Sequence, residues 1–222
     1  MWAGWYVRGV PAREFMGRVR WIGGGSGAGK TTIARRIAST HNATLYSTDD
    51  VMAEHASRLT PTEAPLLQAF RNGSMDDRWV RGSPSEMLAS FHWYAGEGFE
   101  LIVDDLATAT HTGKAAVAEG FRLLPNLVAP LLADPRDAAW LLPTPEFRRS
   151  AFEHRGTLWD IASRTSKPER ALSNLLERDA MFTDRLRNDL DRLGLRAIEV
   201  DIGDSEDELL DRVMSALRPL AL

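Results

Sequence analysis

A chain of 222 residues, 44% hydrophobic and 26% charged, has the composition of an ordinary globular protein and enough length to bury a core without staples. It contains no cysteine, which excludes disulfides, thiolate metal sites and thiol catalysis and makes a reducing, cytoplasmic setting the expectation. The formal net charge of −4 argues against nucleic acid as a partner, because such binding rests on neutralising phosphates. No apolar stretch approaches the roughly 18 residues that would span a membrane.

In chain order, the opening run "MWAGWYVRGVPAREFMG" lacks a basic head ahead of an unbroken apolar segment, so no secretion signal is expected. Its Trp2, Trp5 and Tyr6 are expected either to add a strand or to precede the first element. "GRVRWIGG" alternates and is β-rich, predicting a first strand over residues 18–22. "KTTIARRIAST" follows, with Ile33, Ala34, Ile37 and Ala38 on one helical face. "ATLYSTDD" reads as a second strand delivering two carboxylates, Asp49 and Asp50, at its end. Residues 51–84 are broken by proline and glycine and rich in arginine.

A helix is expected from about Ser85, with Pro84 just ahead of it, through "MLASFHWYAGEGFELIVDDLATAT", interrupted at residues 96–98. "KAAVAEGFRLLPNLVAPLLADP" predicts a short buried strand through Val117, a turn at Glu119 and Gly120, and a helix ended by Pro135. "DAAWLLPTP" is another apolar strand, and "PEFRRSAFEHRG" a short arginine-loaded helix. The clearest helix is "PERALSNLLERDAMFTDRLRNDLDRLGL": Leu172, Leu175, Leu176, Phe182, Leu186, Leu190 and Leu193 recur at helical spacing and Gly194 supplies the stop. "RAIEVD" gives a last strand. "SEDELLDRVMSAL" gives a last helix with Ser205 as its cap. Strands alternating with helices predict an α/β fold, a five-stranded parallel sheet with helices on both faces, in one domain over residues 1–222.

Between the first strand and the first helix, "GGSGAGKT" satisfies the phosphate-loop pattern G-x-x-x-x-G-K-[ST] in the context that pattern requires. Glycines let successive backbone N–H groups turn inward around an anion, and the helix N-terminus adds its dipole. The nucleotide-binding candidates are Gly25, Ser26, Gly27, Ala28, Gly29, Lys30, Thr31 and Thr32. Lys30 is expected at the β- and γ-phosphates and the Thr31 hydroxyl on Mg²⁺. Asp49 and Asp50 lie at the strand end where such sheets bind ligands. For a second acidic element the residues offer Glu119 or the pair Asp104 and Asp105.

These residues resemble the phosphate-loop kinases, the superfamily of nucleoside, nucleotide and small-metabolite kinases. The similarity is to its chloramphenicol-phosphotransferase-like, uridine-kinase-like and zeta-toxin-like members. The resemblance implies an ATP-dependent (or GTP-dependent), Mg²⁺-dependent transfer of the γ-phosphoryl group to a hydroxyl of a small molecule. In "LYSTDDVM" it implies Asp49 as the base, with Asp50 orienting it or near Mg²⁺; which of the two is the base stays open. "V-A-E-G" resembles the third strand of uridine-kinase-like enzymes and implies Glu119 at Mg²⁺ or substrate.

It further implies a small lid over residues 144–167 whose Arg148 and Arg149, and more weakly Arg155, meet the transferring phosphoryl group. An acceptor-binding insertion is implied over residues 51–98, with Arg78, Trp79, Arg81 and Trp93, and Arg122 beyond it, touching the acceptor. His41, His55, His111 and His154 show no metal-ligand spacing. The expected assembly is a monomer or homodimer. The competing readings are an NTP hydrolase and a nucleotide-regulated switch protein.

Overall fold

The computed structural model describes the backbone at residues 6–7, 10–11, 16–111, 113–155 and 157–220, and side chains at residues 16–111, 113–150 and 159–220. Trp2 and Trp5 therefore lie outside the described residues, as does the side chain of Arg155. At the N-terminus, β1 (Tyr6–Val7) and β2 (Val10–Pro11) pair antiparallel. The main sheet takes its strands from β3 (Val19–Gly24), β4 (Thr44–Ser47), β5 (Ala116–Glu119), β6 (Ala138–Pro143) and β7 (Ala197–Val200). Their order is β4-β5-β3-β6-β7, and every pairing is parallel. The α/β fold expected from the alternation of elements is the observed one.

Two apolar layers sandwich this sheet because its strands alternate sides. One face of the strands, including Trp21, Ala118 and Trp140, packs on α6 (Phe99–Thr110) and α10 (Pro168–Leu193) through Ile102, Leu106, Phe182 and Leu186. The other face, including Ile22, Val117 and Leu141, packs on α1 (Lys30–Thr40) and α11 (Glu206–Ala216) through Ile33, Ile37 and Val213. β3, β5 and β6 are buried along their whole length, the mark of a parallel sheet covered on both sides.

Between β4 and α6 the chain is more helical than its prolines and glycines suggest. It forms α2 (Met52–Arg58), α3 (Pro65–Asn72), a π-helical turn (Asp77–Arg81), α4 (Pro84–Ser90) and α5 (His92–Ala95). The expected single helix from Ser85 is thus three. Pro84 opens α4 inside a capping box made by Ser83 and Glu86, and Gly96 and Gly98 take left-handed φ values of 89° and 72° between α5 and α6. The helix predicted to end at Pro135 is shorter, α7 (Pro125–Val128), followed by two 3₁₀ turns. α8 (Pro145–Arg155) and α9 (Thr157–Ala162) occupy the expected lid.

Register brings the strand ends together. Ile22 and Ser47 both lie opposite Glu119, and Gly24 lies opposite Leu141. Gly24 has φ of 132°, and a Cβ there would fall inside the Leu141 carbonyl oxygen. Gly24→Ala therefore combines backbone strain with overpacking, about 2–6 kcal/mol in sum. Thermal unfolding is expected to show a drop of roughly 4–24 °C. Gly203→Ala, where a Cβ meets nothing within 4 Å, is expected to leave the transition in place.

Candidate functional site

The turn from β3 into α1 forms the floor of a cavity of about 540 Å³ lined by Ser26, Gly27, Ala28, Gly29, Lys30 and Thr31. Gly27 and Gly29 both have φ of 78°, and Gly29 is the N-cap of α1. Left-handed backbone at these two positions is what turns the intervening amides inward. Gly25 is held differently: its amide donates to the Leu141 carbonyl at 3.0 Å, its carbonyl accepts from Lys30 Nζ at 2.7 Å, and a Cβ there would collide with Pro143 and Thr183. Lys30 is itself buried, at 8% exposure, rather than solvent-facing.

The acidic elements meet the loop from the neighbouring strands. Thr31 Oγ1 donates to Glu119 Oε1 at 3.2 Å across 88 residues of sequence. Glu119 is 1% exposed. Burial raises its pKa above the ordinary carboxylate value, opposed by a hydrogen bond from Ser47 and the charge of Lys30. Asp49 is exposed in the turn after β4 and lines the cavity. Asp50 is exposed and lies outside the lining, as does Thr32 on α1. Asp105 is engaged elsewhere, accepting from Tyr46 Oη and from His55 Nε2, both at 2.8 Å.

The opposite wall is aromatic. Phe70, Trp79, Phe91, His92, Trp93, Tyr94 and Phe121 line it, with Arg178 and Asp179 from α10. Trp79 and Trp93 were expected at the acceptor; Arg78, Arg81 and Arg122 were too, but they fall outside this lining. Arg78 is spent on the carbonyls of Phe70 and Arg71. Arg81 pairs with Asp77 one helical turn away. Both border a separate cavity of about 630 Å³ on the outer side of the aromatic wall.

Arg122 is buried beneath the wall. It donates to the carbonyls of Thr48 and Gly98 at 3.4 and 3.3 Å and to His55 Nδ1 at 3.2 Å. Because a guanidinium only donates, His55 accepts at Nδ1 and carries its proton on Nε2, toward Asp105. Burial lowers the Arg122 pKa to about 10.

Arg148 and Arg149 also stand apart from the cavity. With Ser173 and Glu177 they border a recess of about 300 Å³ between α8 and α10. Arg148 is buried there and donates to Thr183 Oγ1 at 3.3 Å.

Arg178 and Asp179 were not singled out in the sequence. Arg178 Nε and Nη2 donate to Asp179 Oδ1 at 3.0 and 2.6 Å, and Tyr94 Oη donates to the same oxygen at 3.0 Å. Arg178 is 5% exposed, and its Nη1 is buried with no hydrogen-bond partner. Burial and the charge of Asp179 raise the Tyr94 pKa above the ordinary phenol value, and the Ser26 hydroxyl of the loop opposes that rise. The signal was present: an Arg-Asp pair falls on the apolar stripe of α10 between Leu175 and Phe182, where charge is costly unless paired and used.

His92 is 3% exposed and its Nδ1 lacks a partner. Burial, helped by Arg122, Arg71 and Arg78, lowers its pKa from 6.5 to about 4. A depressed histidine pKa means that the unfolded chain binds the extra proton first. Stability is therefore expected to fall as pH drops from about 6.5 toward 4, by about 3 kcal/mol for this group. Urea unfolding at a series of pH values checks this; His92→Phe is expected to flatten that limb.

Among the described residues, no group of three or more His, Cys, Asp or Glu side chains could hold a metal ion. Among them, too, no helix is long and apolar enough to cross a membrane.

Loop, strand order and cavity together define the class: an α/β protein with an all-parallel five-stranded main sheet and a glycine-rich turn that lines a cavity at the C-terminal edge of that sheet. No protein-family model and no curated protein matches the chain. Among solved structures it is similar to an uncharacterized protein from Eubacterium ventriosum ATCC 27560, at 18% identity and a TM-score of 0.45, over 89% of this chain and 96% of that one. It is also similar to the NadR protein in complex with NR, at 19% identity and a TM-score of 0.39, over 95% of this chain and 55% of that one.

Proposed function

We propose that the chain is a phosphate-loop kinase that transfers the γ-phosphoryl group of ATP, with Mg²⁺, to a hydroxyl of a small molecule. The observation that carries this reading is one cavity bounded by the glycine-rich loop and Lys30 at one end, an aromatic wall at the other, and Asp49 in its lining. A hydrolase needs no such second compartment.

The amides of residues 26–31 and the Lys30 ammonium hold the β- and γ-phosphates. Asp49 takes the proton of the acceptor hydroxyl as its oxygen bonds to the γ-phosphorus, while the bond from that phosphorus to the β–γ bridging oxygen breaks and ADP leaves. Arg178, which lines the cavity with Ser26 and has one guanidinium nitrogen without a hydrogen-bond partner among the described residues, takes the charge-spreading role the sequence had suggested for Arg148 and Arg149. The buried Glu119 carboxylate and the Thr31 hydroxyl, 3.2 Å apart, fit a divalent cation. Held there, Mg²⁺ would supply positive charge to offset the charge of the phosphate oxygens.

ADP release followed with ATP alone and then with pools of hydroxylated acceptors tests the reading. Acceptor-dependent turnover supports it; acceptor-independent turnover makes the chain a hydrolase, and tight binding without turnover makes it a switch. Glu119 adds a separate expectation. Its folded-state pKa is raised, so the ligand-free chain loses stability as pH climbs above the ordinary 4.5. Glu119→Gln is expected to melt no lower than the parent at pH 8 without ligand. It is also expected to gain less than half the parent's melting shift on adding Mg-ATP.

A further inference from the structure

A wall of aromatic rings around a cavity normally reads as a cation trap, because each ring face is negative. Here the protein's own arginines already occupy those faces. Arg122 Cζ lies 4.0 Å from the centroid of Trp93, and Arg78 Cζ 4.6 Å from that of Phe70. Arg178 Cζ lies 4.9 Å from Phe91 and 5.2 Å from both Trp79 and Tyr94. Arg78 and Arg122 do not border the cavity while Phe70 and Trp93 do, so these rings stand between a guanidinium and the ligand space. A fixed cation behind a ring draws π density from the face in front and repels a second cation there.

The neighbouring charges do not reverse this. Asp179 is tied to Arg178 and Tyr94, and Arg122 makes no ion pair within 4 Å among the described residues. His92 stays neutral above its lowered pKa. Glu119, Lys30 and Asp49, the other charged residues of the lining, belong to the loop end, where Asp49 acts on Glu119; the charges of Asp49, Glu100 and Asp105 reach Arg122 only through space.

We infer that the planar part of the acceptor is electron-rich and not cationic, and that this cavity discriminates against quaternary ammonium groups and charged rings. The inference rests on the aromatic end being the acceptor compartment of the proposed kinase. Arg122, placed as an acceptor contact by sequence, acts instead through Trp93 as a positioning and specificity-determining residue.

The test compares quinoline with N-methylquinolinium, nearly equal in shape and different in charge, at pH 8 and millimolar concentration without nucleotide. Calorimetry measures affinity, and Trp93→Leu locates the site. Quinoline is expected to bind about tenfold tighter, to lose that binding in Trp93→Leu, and to lose most of its advantage over the cation in Arg122→Met. Should the buried Arg122 variant not fold, Arg78→Met at the half-exposed end of the wall is expected to narrow the preference in the same direction. Equal or tighter binding of N-methylquinolinium overturns the inference. So does quinoline binding that survives Trp93→Leu, or binding of neither ring. None of these outcomes involves the phosphate loop, so the kinase reading stands or falls separately, on binding of Mg-ATP and its dependence on Lys30.

Discussion

Lys30→Ala is expected to lower acceptor-dependent turnover by about 10²–10³-fold, the range found when one preorganised donor to a developing charge is removed. The ammonium sits 2.7 Å from the Gly25 carbonyl, on the floor of the cavity and at the N-terminus of α1, where little else supplies mobile positive charge. Loss of this donor weakens the hold on the β- and γ-phosphates, so the fall belongs mainly in kcat, with a smaller rise in the KM for ATP. The fold should survive. Loss of the charge-assisted bond to the Gly25 carbonyl costs about 2 kcal/mol, partly offset because a buried charge no longer has to be desolvated. The melting temperature should move by no more than about 8 °C. Turnover within a few-fold of the parent, in protein that melts normally, would remove the phosphate loop from the mechanism.

Asp49→Asn separates binding from chemistry. The amide is nearly isosteric and still lines the cavity, but it cannot accept the acceptor's proton at neutral pH. Turnover is expected to fall by about 10²–10⁴-fold, the usual contribution of a positioned general base, while calorimetric titration with Mg-ATP stays within about threefold of the parent. The exposure of Asp49 in the turn after β4 makes a stability effect negligible. The neighbouring Asp50 is the internal control: exposed and outside the cavity lining, it is expected to tolerate Asp50→Asn. A rate that collapses in Asp50→Asn and not in Asp49→Asn would exchange the two assignments.

The two tests probe different depths of legibility. The loop that Lys30 completes is contiguous in sequence, and its glycines have conformational reasons that a sequence can express. Glu119 was legible because an apolar run ending in an acid and a glycine marks a buried strand reaching the ligand edge. Its partner Thr31 is 88 residues away, yet both lie on elements that parallel-sheet topology brings together.

The arginines were less legible. The resemblance to phosphate-loop kinases implied a lid carrying Arg148 and Arg149 after the strand beside the loop. The actual turn of α8 sends Arg148 to Thr183 on α10 instead. Helical phase, not sequence position, decides which way such a side chain leaves its helix. Arg178 went unnoticed because the leucines around it made the helix easy to recognise. The charge that interrupts them takes on meaning only opposite Trp79, Phe91 and Tyr94.

By itself the sequence determined the alternation of strands and helices, the parallel sheet they build, and the glycine-rich loop between the first strand and its helix. These follow from hydrophobic periodicity and from the φ values open to glycine, both of which act over a few consecutive residues. Only the tertiary structure decided which arginine faces the cavity, that Asp49 and not Asp50 lines it, and that the aromatic wall is backed by guanidinium groups. Those outcomes depend on which helix faces touch across the chain. Burial and hydrogen-bond partners there are supplied by residues tens of positions apart, and no local pattern encodes them.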